Sequence, residues 1–159
     1  MYKNDLIIVM FTQMEDALKA RQGLEIMRGS QVFGLVNAAA VTKDSNGEVT
    51  VQQYRQQTIP EPTHQKSVQL LKMVIDIFMH EPSKETVQQL AGAGLDRTFL
   101  EEVVADMESS ASALFIYSSG DNLVDTQRLL QALNLLRGTL YYTTFPEAVE
   151  DTILAQKFY

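Results

Sequence analysis

MRGS at residues 27–30 and LRGT at residues 136–139 lie 109 residues apart. Carried along the chain, that spacing sets Leu24 over Leu133, Phe33 over Tyr142, and Leu6 and Ile7 over Phe115 and Ile116. A single matched tetrapeptide carries little weight. Agreement across a strand, a helix, a glycine stop and a second strand predicts an internal repeat. Two βαβ-like units with helices on one face of an antiparallel sheet make a ferredoxin-like sandwich. The expected fold is therefore α+β, a duplicated ferredoxin-like sandwich in a single domain. Its first half covers 1–57, a linker and helical insert 58–107, and its second half 108–159.

The elements follow from local pattern. DLIIVMFT at 5–12 is rich in β-branched and apolar residues, as a buried central strand requires. Met14, Ala17, Leu18, Leu24 and Met27 predict a helix over 14–28, stopped by Gly29. Strands are expected over 32–42 and 48–55. The two prolines of TIPEPTH, 58–64, mark a linker. Beyond it come a helix over 65–80 and one that Pro82 and Ser83 start and that runs to about Leu90, ended by Gly92 and Gly94. Asp96 reads as the N-cap of a helix over 98–107. Strand 112–118, helix 121–137 stopped by Gly138, and strand 139–145 complete the second half. Pro146 suits the first turn of a C-terminal helix.

The hairpin tip TKDSNGEVTV, 42–51, has oxygen-bearing residues at alternate positions: Asp44, Asn46 and Glu48. A calcium loop counted from Asp44 would need glycine at its sixth position and glutamate at its twelfth. Val49 and Arg55 stand there. A hairpin reads better. Phe33, Leu35, Ala39 and Val41 share one face of their strand, and Val49 and Val51 share one face of the next. Facing pairs must keep that parity. A three-residue loop, Ser45-Asn46-Gly47, does so by pairing Asp44 with Glu48 and Val41 with Val51, with Gly47 in the left-handed position of a bulge.

Other chemistry is sparse. There is no cysteine, which removes disulfides, thiolate metal sites and cysteine nucleophiles. His64 and His80 are the only histidines. Asp76 and His80 could share a helical face, but two ligands do not make a metal site. No nucleophile elbow, dinucleotide fingerprint or phosphate loop occurs. No catalytic, metal or cofactor residue is assigned. The net charge is −7, and the 13 Lys and Arg form no run, which argues against nucleic acid. No secretory leader is visible, so the cytoplasm is the default compartment.

Residues 65–80, QKSVQLLKMVIDIFMH, hold the strongest partner signal. Lys66, Gln69, Lys72, Asp76 and His80 line one narrow stripe, and nearly everything else is apolar. A surface helix needs an apolar arc of roughly 100° or somewhat more, and this one is far wider. Either the helix is clamped between layers of its own domain, or one face meets another chain. The residues expected to face a partner are Val74, Ile75, Phe78 and Met79, joined by Tyr141 from the aromatic last strands. A membrane span would need about 20 apolar residues, and this run is shorter and carries Lys72 and Asp76.

Three stretches together resemble an uncharacterised bacterial family of predicted membrane proteins that have a duplicated ferredoxin-like domain and a glycine-rich hydrophobic insert. They are NAAAVTKDSNGEVTVQQ at 37–53, AGAGLDRTFLEEVVADMESSASALFIY at 91–117 and RGTLYYTTFPEAVEDTILAQ at 137–156. The resemblance covers roughly 1–57 and 90–157. It implies the fold and an association with membranes, and it supplies no catalytic motif. The chain departs from the family where the insert would lie, because no glycine occurs between Glu48 and Ala91. The leading expectation is a non-catalytic interaction protein that forms a dimer or higher homo-oligomer. The alternatives are a small-molecule-binding or enzymatic ferredoxin-like dimer and a peripheral membrane protein.

Overall fold

The structure, a computed structural model, describes residues 3–29, 36–44, 46, 48–54, 61–80, 84–107, 111–119, 123–134, 136 and 138–155. Its strands are β1 (Lys3–Phe11), β2 (Val36–Lys43), β3 (Val49–Tyr54), β4 (Ser112–Ser119) and β5 (Thr139–Pro146). Its helices are α1 (Asp16–Gly29), α2 (Glu61–His80), α3 (Lys84–Ala93), α4 (Arg97–Met107), α5 (Leu123–Asn134) and α6 (Glu147–Ala155). The strands form one sheet in the order β3-β2-β4-β1-β5, antiparallel at every junction. Without β3, that order is the ferredoxin-like one: two β-α-β units interleaved so that β1 and β4 sit side by side at the centre.

The central strand is buried on both faces, as its unbroken apolar run requires. Leu6, Ile8 and Met10 face one layer, and Ile7, Val9 and Phe11 face the other. The second layer is built by α1 and α5, whose Ala17, Ala20 and Leu133 close over Ala38, Ala40, Leu114 and Ile116. Alanines on β2 let α1 lie close to the sheet. The helices of the two halves thus share one face, as expected. The opposite face is covered as well, by α2, α3, α4 and α6. The sheet is the middle of three layers. The wide apolar arc of α2 follows from its place in the crowded outer layer, against the sheet and beside α4 and α6.

Several local expectations change. Helix α2 begins at Glu61, so residues 61–64 are helical, not linker. Pro62 falls in the first turn, where its missing N–H has no intrahelical partner to lose. Helix α5 ends at Asn134, short of Gly138, whereas Gly29 is the last residue of α1. The shared Arg-Gly therefore does not mark one structural position. Gly138 has a different reason: a Cβ there would lie 2.6 Å from Val9 Cγ1 and 2.8 Å from the Met10 carbonyl oxygen. Only glycine lets the chain enter β5 this close to β1. Pro146 ends β5 and precedes the first residue of α6.

The sheet register also revises the spacing of the halves. Ile7 pairs with Ile116, the residue 109 positions on. On its other side Ile7 pairs with Tyr142, and on its other side Ile116 pairs with Ala38. The position equivalent to Tyr142 is thus Ala38, 104 residues away, and not Phe33, which lies outside the described residues. The four-strand order is two-fold in layout, but no single spacing fits its register: with Ile7 set over Ile116, the outer strands correspond at 104 residues and not at 109.

Candidate functional site

The apolar surface expected to meet a partner is spent inside the chain. Val74, Ile75 and Phe78 are between 1% and 4% exposed, and Tyr141 is 8% exposed. All four belong to the core between the sheet and the outer helices. The Met79 side chain lies outside the described residues. The physical reason is the covered face: α2 lies on β4 and β2, so its apolar arc turns inward. The sheet face that carries Tyr117, Tyr141 and Phe145 is likewise covered by the chain's own outer helices. Tyr141 donates its hydroxyl hydrogen bond to the Asp106 carboxylate of α4. Tyr117 and Phe145 stack at a tilt beside it, with ring centres 6.1 Å apart.

Among the described residues the large apolar side chains left exposed are Met14, Val51 and Tyr142. They stand apart: on the loop after β1, on β3 and on β5. Val51 is the most exposed, at 47%, and it sits in the middle of an edge strand.

The β2–β3 hairpin fixes which way that edge points. Val41 pairs with Val51, as parity required, and the Asp44 N–H donates to the Glu48 carbonyl oxygen at 3.0 Å. Asp44 closes the loop a second way: its Oδ1 accepts from the N–H groups of Asn46 at 2.9 Å and Glu48 at 2.8 Å. The carboxylate that suggested a calcium ligand is thus the acceptor that ties the hairpin tip together. The bulge expected at Gly47 lies outside the described residues. Hydrogen-bonded pairs alternate along an antiparallel ladder. Counting from the 44–48 closure, Thr50, Gln52 and Tyr54 bond to β2. The N–H and C=O groups of Val49, Val51 and Gln53 then point out of the sheet. The other side of β2 agrees, since the Lys43 N–H donates toward Ala111, at the start of β4.

The strand itself, VTVQQY, has no charge and no proline. Edge strands are ordinarily blunted by such residues, by bulges or by a covering element. At the opposite edge, β5 ends in Pro146 and packs along α4 and α6.

Two further features carry polar chemistry. Tyr142 donates to Oδ1 of the buried Asp5 at 2.9 Å. Burial first, then that hydrogen bond and the Asp5 charge, push the Tyr142 phenol up to about 12. Tyr141 is pushed up to about 12 in the same order of causes, with Asp106 as its partner. Each is a latch between elements, holding β5 to α4 and to β1. On the outer surface, a groove of about 350 Å³ runs between α3 and α4, with Val87 and Val104 in it and Lys84, Arg97 and Glu101 around it.

No three His, Cys, Asp or Glu side chains among the described residues come together as a metal site. The His64 and His80 side chains are outside that set, and Asp76 is exposed on α2. Among the described residues, no helix is long and apolar enough to cross a membrane. Comparison with protein-family models, with curated proteins and with solved structures found no match. The place of β3 at the edge of the sheet, among the described strands, was within reach of the sequence only in part. The hairpin register gives the outward residues, but that β3 is an edge depends on β4 pairing with the far side of β2.

Proposed function

We propose that this chain is a non-catalytic interaction protein that works by self-association, and that its contact surface is an edge of the sheet and not a face. The observation that carries this reading is β3: among the described residues, an uncharged, proline-free edge strand with Val51 exposed at its centre. Unpaired backbone groups along such a strand are a template for another strand, and main-chain hydrogen bonds supply affinity without any catalytic group. The route through Val74, Ile75, Phe78 and Tyr141 is set aside, because those side chains already fill the core.

A second reading draws on the α3–α4 groove, whose apolar walls and flanking Lys84 and Arg97 could hold a small anionic molecule. Native mass spectrometry separates the two. A dimer or higher oligomer with no added mass is the expected result. A monomer that carries a reproducible small mass, lost on denaturation, would replace self-association with ligand binding.

A further inference from the structure

We infer that the partner strand is the β3 of a second copy, in an antiparallel pairing centred on Val51. This rests on the self-association reading above and specifies its geometry.

Two copies joined at one sheet edge by antiparallel strands are related by a two-fold axis perpendicular to the sheet. That axis keeps corresponding faces on the same side. Residues directly opposite share a face, so each facing pair must have like parity. A centre between Val51 and Gln52 fails this test. Centres on Val51 or on Gln52 pass it, and the hydrogen-bond phase chooses between them. Val49, Val51 and Gln53 are the residues whose N–H and C=O groups point outward, by the alternation fixed at Asp44 and Glu48. With the axis at Val51, that residue meets the partner's Val51 as a hydrogen-bonded pair. Val49 and the partner's Gln53 then form the next such pair on each side. Every outward group of the strand finds a partner. With the axis at Gln52, Val49 would face the partner's Arg55, which lies outside β3 (Val49–Tyr54) and brings a charge to the contact.

Side-chain chemistry favours the same arrangement. It brings the exposed Val51 side chains of both copies onto one face, on the side of the core that Val41 and Val49 belong to. Each copy carries net charge −7, and salt screens charges lying more than about 8 Å apart at physiological ionic strength, so the charge that acts at the contact is chiefly that of the strand itself. The strand has no charged residue. The result is a continuous ten-stranded sheet, an arithmetic consequence of two five-stranded sheets meeting at one edge.

The test combines oligomeric state with amide exchange on the intact chain. Sedimentation equilibrium of the wild type should show a dimer. Val51→Lys places a charge on the contact. Val51→Pro removes an N–H that points outward and leaves the bonds to β2 in place. Both variants should be monomers with wild-type circular dichroism. Hydrogen exchange followed by NMR should show protection at Val49, Val51 and Gln53 that rises with protein concentration, while Thr50 and Gln52 are protected at every concentration. If both variants misfold, the exchange pattern of the wild type decides alone. A dimer that survives both variants, with Val49, Val51 and Gln53 exchanging freely, overturns the β3 assignment and leaves self-association standing. A wild type that stays monomeric at the highest concentration reached overturns both.

Discussion

At the scale of single residues, glycine offers the cleanest contrast. Gly94 ends α3 with φ of 124°, and its neighbours make the reverse-turn bonds of a helix stop, Gly94 N–H to Ala91 and Leu95 N–H to Leu90. A Cβ there would also lie 2.7 Å from Val149 Cγ2. Gly94→Ala should therefore lower stability by about 1–3 kcal/mol. Gly92 sits inside the same helix with nothing near its missing Cβ, so Gly92→Ala should raise stability by roughly 0.5–1 kcal/mol. Urea unfolding of both variants checks the pair, and equal shifts of one sign would refute it. Gly94 was legible as a stop. Gly138 was not legible for what it does, because no sequence pattern shows that Val9 and the Met10 carbonyl approach it. The tyrosine latches make a second prediction at this scale. An exposed phenol ionises near pH 10, whereas Tyr141 and Tyr142 hold their protons to about 12. The folded state then binds more protons between those limits. The stabilisation is complete below about pH 10 and is lost as pH rises toward about 12. The urea midpoint should fall across that window, and less steeply in Tyr142→Phe. Absorbance at the tyrosinate band should show the corresponding late titration in the wild type.

At the scale of elements, α2 was read correctly as a helix of unusually wide apolar arc, but not as to what covers that arc. Period and composition report how much apolar surface a helix presents. They do not report whether a sheet, a neighbouring helix or another chain lies against it, since those contacts join residues far apart in sequence. Phe78 illustrates the difference: it is fully enclosed by its own chain. Phe78→Ala should cost about 3–5 kcal/mol. Lys72→Ala, on the exposed stripe of the same helix, should stay within about 0.5 kcal/mol. Were Phe78 a partner contact, its truncation would change the oligomer and leave the unfolding midpoint of the monomer nearly unchanged. Capping was more legible than packing. Asp96 accepts the Thr98 N–H at 3.0 Å, the N-cap expected of it before α4. A less predictable cap lies at α1, where the buried Ser112 of β4 accepts the Ala17 N–H at 3.3 Å and donates to the Gln13 carbonyl oxygen at 2.6 Å. Its partners are almost a hundred residues away in sequence, so no local motif announces it.

At the scale of the whole molecule, the ferredoxin-like order was legible because each half carries its own strand, helix and strand in sequence. The third layer was not, because nothing in the helices between the halves says which face of the sheet they return to. Its presence changes what the fold requires. In a two-layer sandwich one face of the sheet can meet solvent, and its strands alternate apolar with polar residues. Here Leu6, Ile8, Met10, Phe115, Tyr117 and Phe145 all lie on the face that α2, α3, α4 and α6 cover. The insert is therefore a structural layer and not an appended module. Replacing residues 58–107 by a flexible crossover of about a dozen residues, long enough to join parallel β3 to β4, would expose that face as one contiguous apolar patch. Patches larger than a few hundred Å² drive association. The shortened chain should bind a hydrophobic dye strongly and elute as large aggregates, even when Val51→Lys blocks the β3 edge. A shortened chain that remains monomeric and unfolds cooperatively would mean that α1, α5 and the sheet form a sufficient core. The outer helices would then be free to serve a partner, as the breadth of the α2 apolar arc first suggested.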